Sequence, residues 1–202
     1  MNFFQMGIVG MTGTGKTTKL VEIVNNIDNH RMIAIDDLDE LAHRGLKGFF
    51  TAYNIDDFIF MLSNKRKFKI RCHFEHLDDY QKIFDIVWNL NNLVLIIDEI
   101  NLHSDRYNIS ENLNNIVKRG RIKNISLIYN SQRPTDINRE ITSQSEFLIS
   151  FRIQEPRDVS YFPKTFRSDV DKIKMLENLA VGEFVFIRGD NELLKSKINF
   201  KI

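Results

Sequence analysis

Apolar positions change period along the chain, and the changes mark out its elements. Met6 to Gly10 is short and mostly apolar, as a buried strand is. Lys19 to Ile27 then places Leu20, Ile23, Val24 and Ile27 on one helical face. Arg31 to Ile35 predicts a second short strand, ending in Asp36-Asp37. Leu38 to Asn54 is mixed and glycine-containing and reads as loop and short helix. Asp56 to Asn64 predicts a helix with Asp56 as its N-cap and Ile55, Phe58, Ile59 and Leu62 along one face. Phe68 to Glu75 alternates, with Phe68, Ile70, Cys72 and Phe74 opposed to Lys69, Arg71, His73 and Glu75. That is a strand with one buried and one polar face. A helix over about Leu77 to Leu90 carries Tyr80, Ile83, Phe84, Val87 and Leu90 at core spacing, with Trp88 packing beside them. Leu93 to Ile97 is apolar at every position, which suits a strand covered on both faces.

The later part keeps the same rhythm. A polar loop, Ile100 to Asn108, precedes a helix over Ile109 to Arg119 and a strand over Ile125 to Tyr129. Phe147 to Ile153 alternates as a strand, and Pro156 to Phe162 and Val170 to Leu179 are helical or irregular. Phe184 to Arg188 and Leu194 to Ile202 form a hairpin around Gly189-Asp190-Asn191. Strands alternating with helices predict an α/β fold with a mostly parallel central sheet between helical layers and an antiparallel C-terminal hairpin. There are no repeats, low-complexity segments or linkers, so residues 1–202 are expected to form one domain.

Charge and composition narrow the picture only a little. Hydrophobic content of 43% and charged content of 27% are those of an ordinary globular chain. A formal net charge of +1 supplies no bulk basic field, so any nucleic-acid contact must be a local patch. The single Cys72 allows no internal disulfide or zinc cluster and fits a reducing compartment. The longest apolar run, Leu93 to Ile97, is far short of a membrane span, and Met1-Asn2-Phe3-Phe4 lacks the pattern of a signal peptide. A cytoplasmic protein is expected.

Specific chemistry enters at Gly10-Met11-Thr12-Gly13-Thr14-Gly15-Lys16-Thr17, a glycine-rich turn between strand and helix. This is the context of a phosphate-binding P-loop (Walker A). The glycines let backbone N–H groups curl around an anion, and the helix N-terminus adds partial positive charge. Gly10, Thr12, Gly13, Thr14, Gly15, Lys16, Thr17 and Thr18 are the candidate ATP-binding residues. Lys16 reaches the β- and γ-phosphates and Thr17 is a candidate Mg²⁺ ligand. Leu93 to Ile97 followed by Asp98-Glu99 then reads as Walker B, with its acids at the carboxyl edge where open α/β sheets bind ligands. Asp98 would hold Mg²⁺ through water, and Glu99 would polarise the attacking water, which favours hydrolysis over switching. Gln132, after the next strand, suits a sensor of the γ-phosphate or the attacking water, though standing alone it reads as a turn glutamine. Asp36-Asp37 reads as a solvated loop acid pair or as a second carboxylate group at the crevice. His73, Glu75 and His76 read as solvent-facing residues at a strand end. Lys195, Lys197 and Lys201 are either a solvated edge or a polyanion contact.

Arg119-Gly120-Arg121, then Asn124-Ile125-Ser126-Leu127-Ile128, then Ser131-Gln132-Arg133-Pro134-Thr135-Asp136-Ile137 resembles the FtsK–HerA superfamily of ring-shaped DNA-pumping ATPases. Phe147 to Arg152 with Asp158, and Leu179 with Gly182-Glu183-Phe184, are similar to that family's late strand and Leu-x-x-Gly-Glu segment. The resemblance spans Gly10 to about Arg188 and implies an ASCE, RecA-like P-loop NTPase core. A stripped motor of this length looks like the genome-packaging ATPases of viruses. What it implies is ATP hydrolysis with Mg²⁺, coupled to movement of double-stranded DNA through a homo-oligomeric ring, pentamer or hexamer. It also implies an arginine supplied in trans. Arg121 is the first candidate for that role and Arg119 the second, with Arg133, Arg152 and Arg157 behind them. Channel loops at Arg44 to Phe50 and Asn101 to Tyr107 are the candidate DNA contacts, and a capsid-vertex or virion membrane protein is a candidate docking partner. The location implied is the host cytoplasm or the packaging vertex of the virion. A plasmid-mobilisation or secretion ATPase of the same superfamily and a nucleotide-switched assembly protein are the competing readings. A small-molecule kinase is disfavoured, since no lid with paired arginines is evident.

Overall fold

The computed structural model describes residues 3–63, 66–166, 174–188 and 193–197. In chain order, its strands and helices alternate. They run β1 (Gln5–Val9), α1 (Lys16–Asn26), β2 (Arg31–Ile35), α2 (Glu40–His43), β3 (Phe50–Ala52), α3 (Ile55–Leu62), β4 (Phe68–Cys72) and α4 (Asp79–Trp88). The second half runs β5 (Leu93–Ile97), α5 (Glu111–Lys123), β6 (Ile125–Ser131), α6 (Arg139–Ser143), β7 (Phe147–Ser150), α7 (Pro156–Phe166), β8 (Glu183–Arg188) and β9 (Leu193–Lys197). The strands form one sheet in the order β3-β4-β2-β5-β6-β1-β7-β8-β9. From β3 to β7 every pairing is parallel, and β8 and β9 are added antiparallel. β6 lies between the strand that precedes the glycine-rich turn and the strand that ends in Asp98-Glu99.

The apolar runs are continuous because both sheet faces are covered. On one face Ile33, Ile35, Leu93, Leu95 and Ile97 pack with Phe58, Tyr80, Phe84, Leu113 and Ile116 from α3, α4 and α5. On the other, the alternate residues Met32, Ala34, Val94 and Ile96 pack with Leu20 and Val24 of α1 and Leu41 of α2. Parallel strands must bury both faces in this way, since their crossover helices lie on them.

Several local expectations change. Asn54, not Asp56, caps α3, its side-chain oxygen accepting from the Asp57 N–H at 2.8 Å. The stretch read as loop contains the edge strand β3, whose three residues are too short to show a period. Arg71 on the expected polar face of β4 is buried, because Asp36, just past the end of neighbouring β2, takes its charge at 2.9 Å. The glycine turn of the hairpin and the residues after Lys197, including Lys201, lie outside the described residues. Among the described residues no helix is long and apolar enough to cross a membrane.

Candidate nucleotide site

The turn between β1 and α1 is shaped before it meets any ligand. Gly10 has φ of +145°, and a Cβ there would lie 2.6 Å from the Phe151 Cβ, so only glycine lets the loop pass beneath β7. The Thr14 hydroxyl donates to the Met11 carbonyl at 2.7 Å, and the Gly182 N–H donates to the Thr14 carbonyl at 3.0 Å. Gly10 and Thr14 therefore shape the loop. Thr12, Gly13, Gly15, Lys16, Thr17 and Thr18 line a cavity of about 250 Å³ at the α1 N-terminus.

Asp98, Glu99 and Gln132 line that same cavity from the ends of β5 and β6. The strand register explains this, since Ile97, the last residue of β5, pairs with Tyr129, and β6 runs on along β1 to Ser131 before Gln132 leaves the sheet. The Gln132 side-chain oxygen accepts from the Thr12 hydroxyl at 2.9 Å, so the sensor candidate already touches the P-loop. Its presentation is built by its neighbours. Asp158 of α7, buried, accepts from the Thr135 N–H at 3.2 Å, the Thr135 hydroxyl at 2.5 Å and Arg133 Nε at 3.2 Å. The Gln-Arg-Pro-Thr run is thus a turn clamped by one carboxylate, with Gln132 left pointing at the crevice. Arg133 is committed to Asp158.

Asn130 is the residue that sequence reasoning missed. Fully buried at the end of β6, it donates to Asp98 Oδ1 at 2.5 Å and accepts the Glu99 N–H at 2.6 Å. One amide thereby fixes both acids. Glu99 adopts φ of +51°, unusual for a residue with a side chain, and its Oε2 is buried with no hydrogen bond among the described residues. A polar residue directly after the expected strand Ile125 to Tyr129 was the available signal.

Electrostatics leaves the site short of positive charge. Burial pushes the Asp98 carboxyl up to about 7, with Asp36 and Glu99 adding to the rise and the Asn130 hydrogen bond opposing it. Burial also lowers the Lys16 ammonium, against the pull of Glu99 and Asp98. Lys16 Nζ donates to the Met11 carbonyl at 3.2 Å. A carboxyl that resists ionisation, an orphan carboxylate oxygen and a neighbouring threonine hydroxyl fit a divalent cation bound with a polyphosphate.

A stability prediction follows. The folded Asp98 keeps its proton to about pH 7, whereas the unfolded chain releases it near the ordinary aspartate value of 3.8. Between those values the unfolded state binds fewer protons, so this group makes stability fall as pH rises through the window and stay level above it. Thermal melts of nucleotide-free wild type and Asp98→Asn should differ by that slope. Parallel profiles would contradict it.

The remaining candidates lie elsewhere. Asp36 and Asp37 are not solvated. Asp36 is fully buried, bonded to Arg71, and its oxygens accept from the Leu41 and Ala42 N–H groups at 3.1 and 3.3 Å, anchoring α2. Arg44, a candidate DNA contact, lines the nucleotide cavity beside Glu40 and Leu38. Arg119 and Arg121 are exposed on the last turns of α5. Between them Gly120 is buried because a Cβ would meet the Ile125 carbonyl at 2.8 Å. Arg121 shares a groove with Phe3 and Gln5 at the start of β1, the opposite end of that strand from the P-loop. Five residues of strand, roughly 15 Å, lie between that groove and the P-loop of the same chain.

No family model matches the chain, and no curated protein matches it. Solved structures do. The genome packaging NTPase B204 of Sulfolobus turreted icosahedral virus 2, in complex with sulfate, superposes with a TM-score of 0.80 at 17% identity, covering 100% of each chain. The chain has the fold of B204. The same protein in complex with AMPPCP gives 0.77 at 18% identity, covering 98% of this chain and 99% of that one. VirB4 of Thermoanaerobacter pseudethanolicus gives 0.71 at 13% identity, covering 98% and 90%. The B204 likeness runs from end to end, so it includes β8 and β9 as well as the parallel core.

Proposed function

We propose that the chain is an ATPase that pumps double-stranded DNA into a preformed viral capsid, working as a homo-oligomeric ring of five or six copies. The observation that carries this is one cavity holding Lys16, Thr17, Asp98, Glu99 and Gln132, with Gln132 bonded to Thr12. The full-length likeness to B204 supports the packaging role, and the VirB4 likeness keeps a secretion or mobilisation ATPase as the second reading. The workplace is the host cytoplasm or the packaging vertex of the virion, with a capsid or virion membrane protein as the docking partner.

The backbone N–H groups of the P-loop and Lys16 bind and orient the triphosphate. Thr17 and Asp98 would hold Mg²⁺, which supplies charge neutralisation at the β- and γ-phosphates. Glu99 orients the attacking water and draws on its proton, and Gln132 senses whether the γ-phosphate is present. Arg121 of the neighbouring copy, or failing that Arg119, meets the charge developing on the transferring group. Arg106 and Tyr107 are exposed in the loop after Glu99, with the guanidinium 5.5 Å from the ring centroid, and offer a DNA phosphate contact.

Hydrolysis should rise with protein concentration and with duplex DNA more than with single strands. If turnover, measured with any required capsid partner, ignores duplex of every length, the motor reading is lost. If single strands stimulate more, the mobilisation reading replaces it. Mixing tests the trans arginine. Arg121→Ala and Lys16→Ala should each be inactive alone and regain about a quarter or less of wild-type turnover together, since only mixed interfaces join an intact P-loop to an intact arginine. Failure to regain any turnover would exclude Arg121 in trans.

A further inference from the structure

One buried polar pair takes no part in the site as described. Asp37 Oδ2 lies 2.8 Å from His103 Nε2, and the two side chains are 6% and 1% exposed. The His103 ring meets Tyr80 and Phe84 of α4 edge-on, at centroid distances of 5.0 and 5.6 Å. Burial raises the Tyr80 phenol, and the Asp37 carboxylate beside it adds to the rise. A polar pair this deep costs desolvation and is strongly destabilising when one partner is removed, so its retention calls for a reason.

Its position in the chain suggests one. Glu99 is followed by the 3-10 turn Ile100–Leu102, and His103 closes it. The Leu102 N–H donates to the Glu99 carbonyl at 2.9 Å, and the His103 N–H to the Ile100 carbonyl at 3.0 Å. Glu99 sits in the left-handed region, which its side chain does not favour, so its neighbours must impose that conformation. Asn130 holds it on the strand side through the Glu99 N–H. The turn holds it on the other side, and the far end of the turn is fixed by His103 to Asp37.

Resting on the reading of Glu99 as the group that orients water, we propose that His103, anchored by Asp37, is a positioning residue for Glu99. The pair keeps the turn wound so that the Glu99 carboxylate stays in the cavity. It also ties that carboxylate to the segment after β2, whose Leu38 and Glu40 form part of the wall of the same cavity. The wall that meets the nucleotide and the acid that meets the water therefore share one anchor.

The test uses the full chain, with ATP hydrolysis, equilibrium binding of a fluorescent ATP analogue and a urea unfolding midpoint measured on each variant. His103→Ala should lower kcat by about tenfold, the effect of a small displacement of a reacting group, while the analogue Kd stays within about twofold of wild type. His103→Gln, which keeps a donor near the Nε2 position, should recover most of the lost kcat. A merely structural pair would instead lower the midpoint and leave kcat per binding-competent molecule unchanged. That result, or kcat equal to wild type in a folded His103→Ala, overturns the proposal. If His103→Ala does not fold, the isosteric Asp37→Asn decides by the same readings. Loss of the reading itself looks different: there Glu99→Gln turns over like wild type, and the positioning role falls with it. An inactive Glu99→Gln beside a fully active His103→Ala removes only the positioning role.

Discussion

Glu99→Gln should reduce ATP turnover by a factor of about 10²–10⁴, the range for loss of a positioned general base, and leave nucleotide binding close to wild type. The substitution conserves size, and the Glu99 backbone N–H bond to Asn130 does not involve the changed atoms. What changes is the terminal oxygen Oε2, which is buried and makes no hydrogen bond among the described residues. A buried carboxylate oxygen left unsatisfied is costly, so something at the site must use it. A water poised at the γ-phosphate would do so, and an amide in its place cannot take up the proton. Isothermal titration with a slowly hydrolysed analogue, beside steady-state turnover, separates the two effects. Turnover equal to wild type would remove Glu99 from the mechanism. Binding without turnover would also exclude a protein that uses ATP only as a switch, because such a protein loses nothing when the base is neutralised.

Much of this site was legible because its residues carry their chemistry in their spacing. The glycines, Lys16 and Thr17 specify a loop conformation, and the apolar run to Ile97 specifies a strand buried on both faces with acids at its end. The strand order, with β6 between β1 and β5, comes from the fold alone. What stayed hidden was long-range pairing. Arg71 alternates with apolar residues and reads as solvent-facing, yet it is buried because Asp36, 35 positions earlier, lies beside it just past the end of β2. Asn130 follows the expected strand Ile125 to Tyr129 and carries no visible role until the fold brings its amide to Asp98. His103 reads as loop polarity until the fold brings Asp37 to it across 66 positions. Local periodicity reports which face a residue occupies. It says nothing of which buried charge another strand will offer, and a partner turns a costly burial into a tolerable one.

Lys16→Ala should weaken nucleotide binding by about a hundredfold and abolish turnover, because truncating one partner of a desolvated charge pair costs about 2–5 kcal/mol. Lys16 is only 6% exposed, and burial lowers its ammonium while Glu99 and Asp98 hold it up. It is thus a cation facing two buried acids, one of which, Asp98, burial makes reluctant to ionise, with its carboxyl at about 7. Removing it leaves both acids without that counter-charge, so the cavity becomes hostile to a triphosphate as well as less attractive to it. The consequence separates this variant from Glu99→Gln, which subtracts a negative charge from the same cavity and should bind the analogue at least as well as wild type. Stability without nucleotide should respond differently from affinity. The buried ammonium's desolvation penalty disappears with the side chain and offsets part of its lost contacts, so the melting temperature of the empty protein should move little. Nucleotide-induced stabilisation, by contrast, should vanish at concentrations that raise the wild-type melting temperature. A Lys16→Ala protein that is still stabilised as strongly by the same nucleotide would place the phosphates away from this loop.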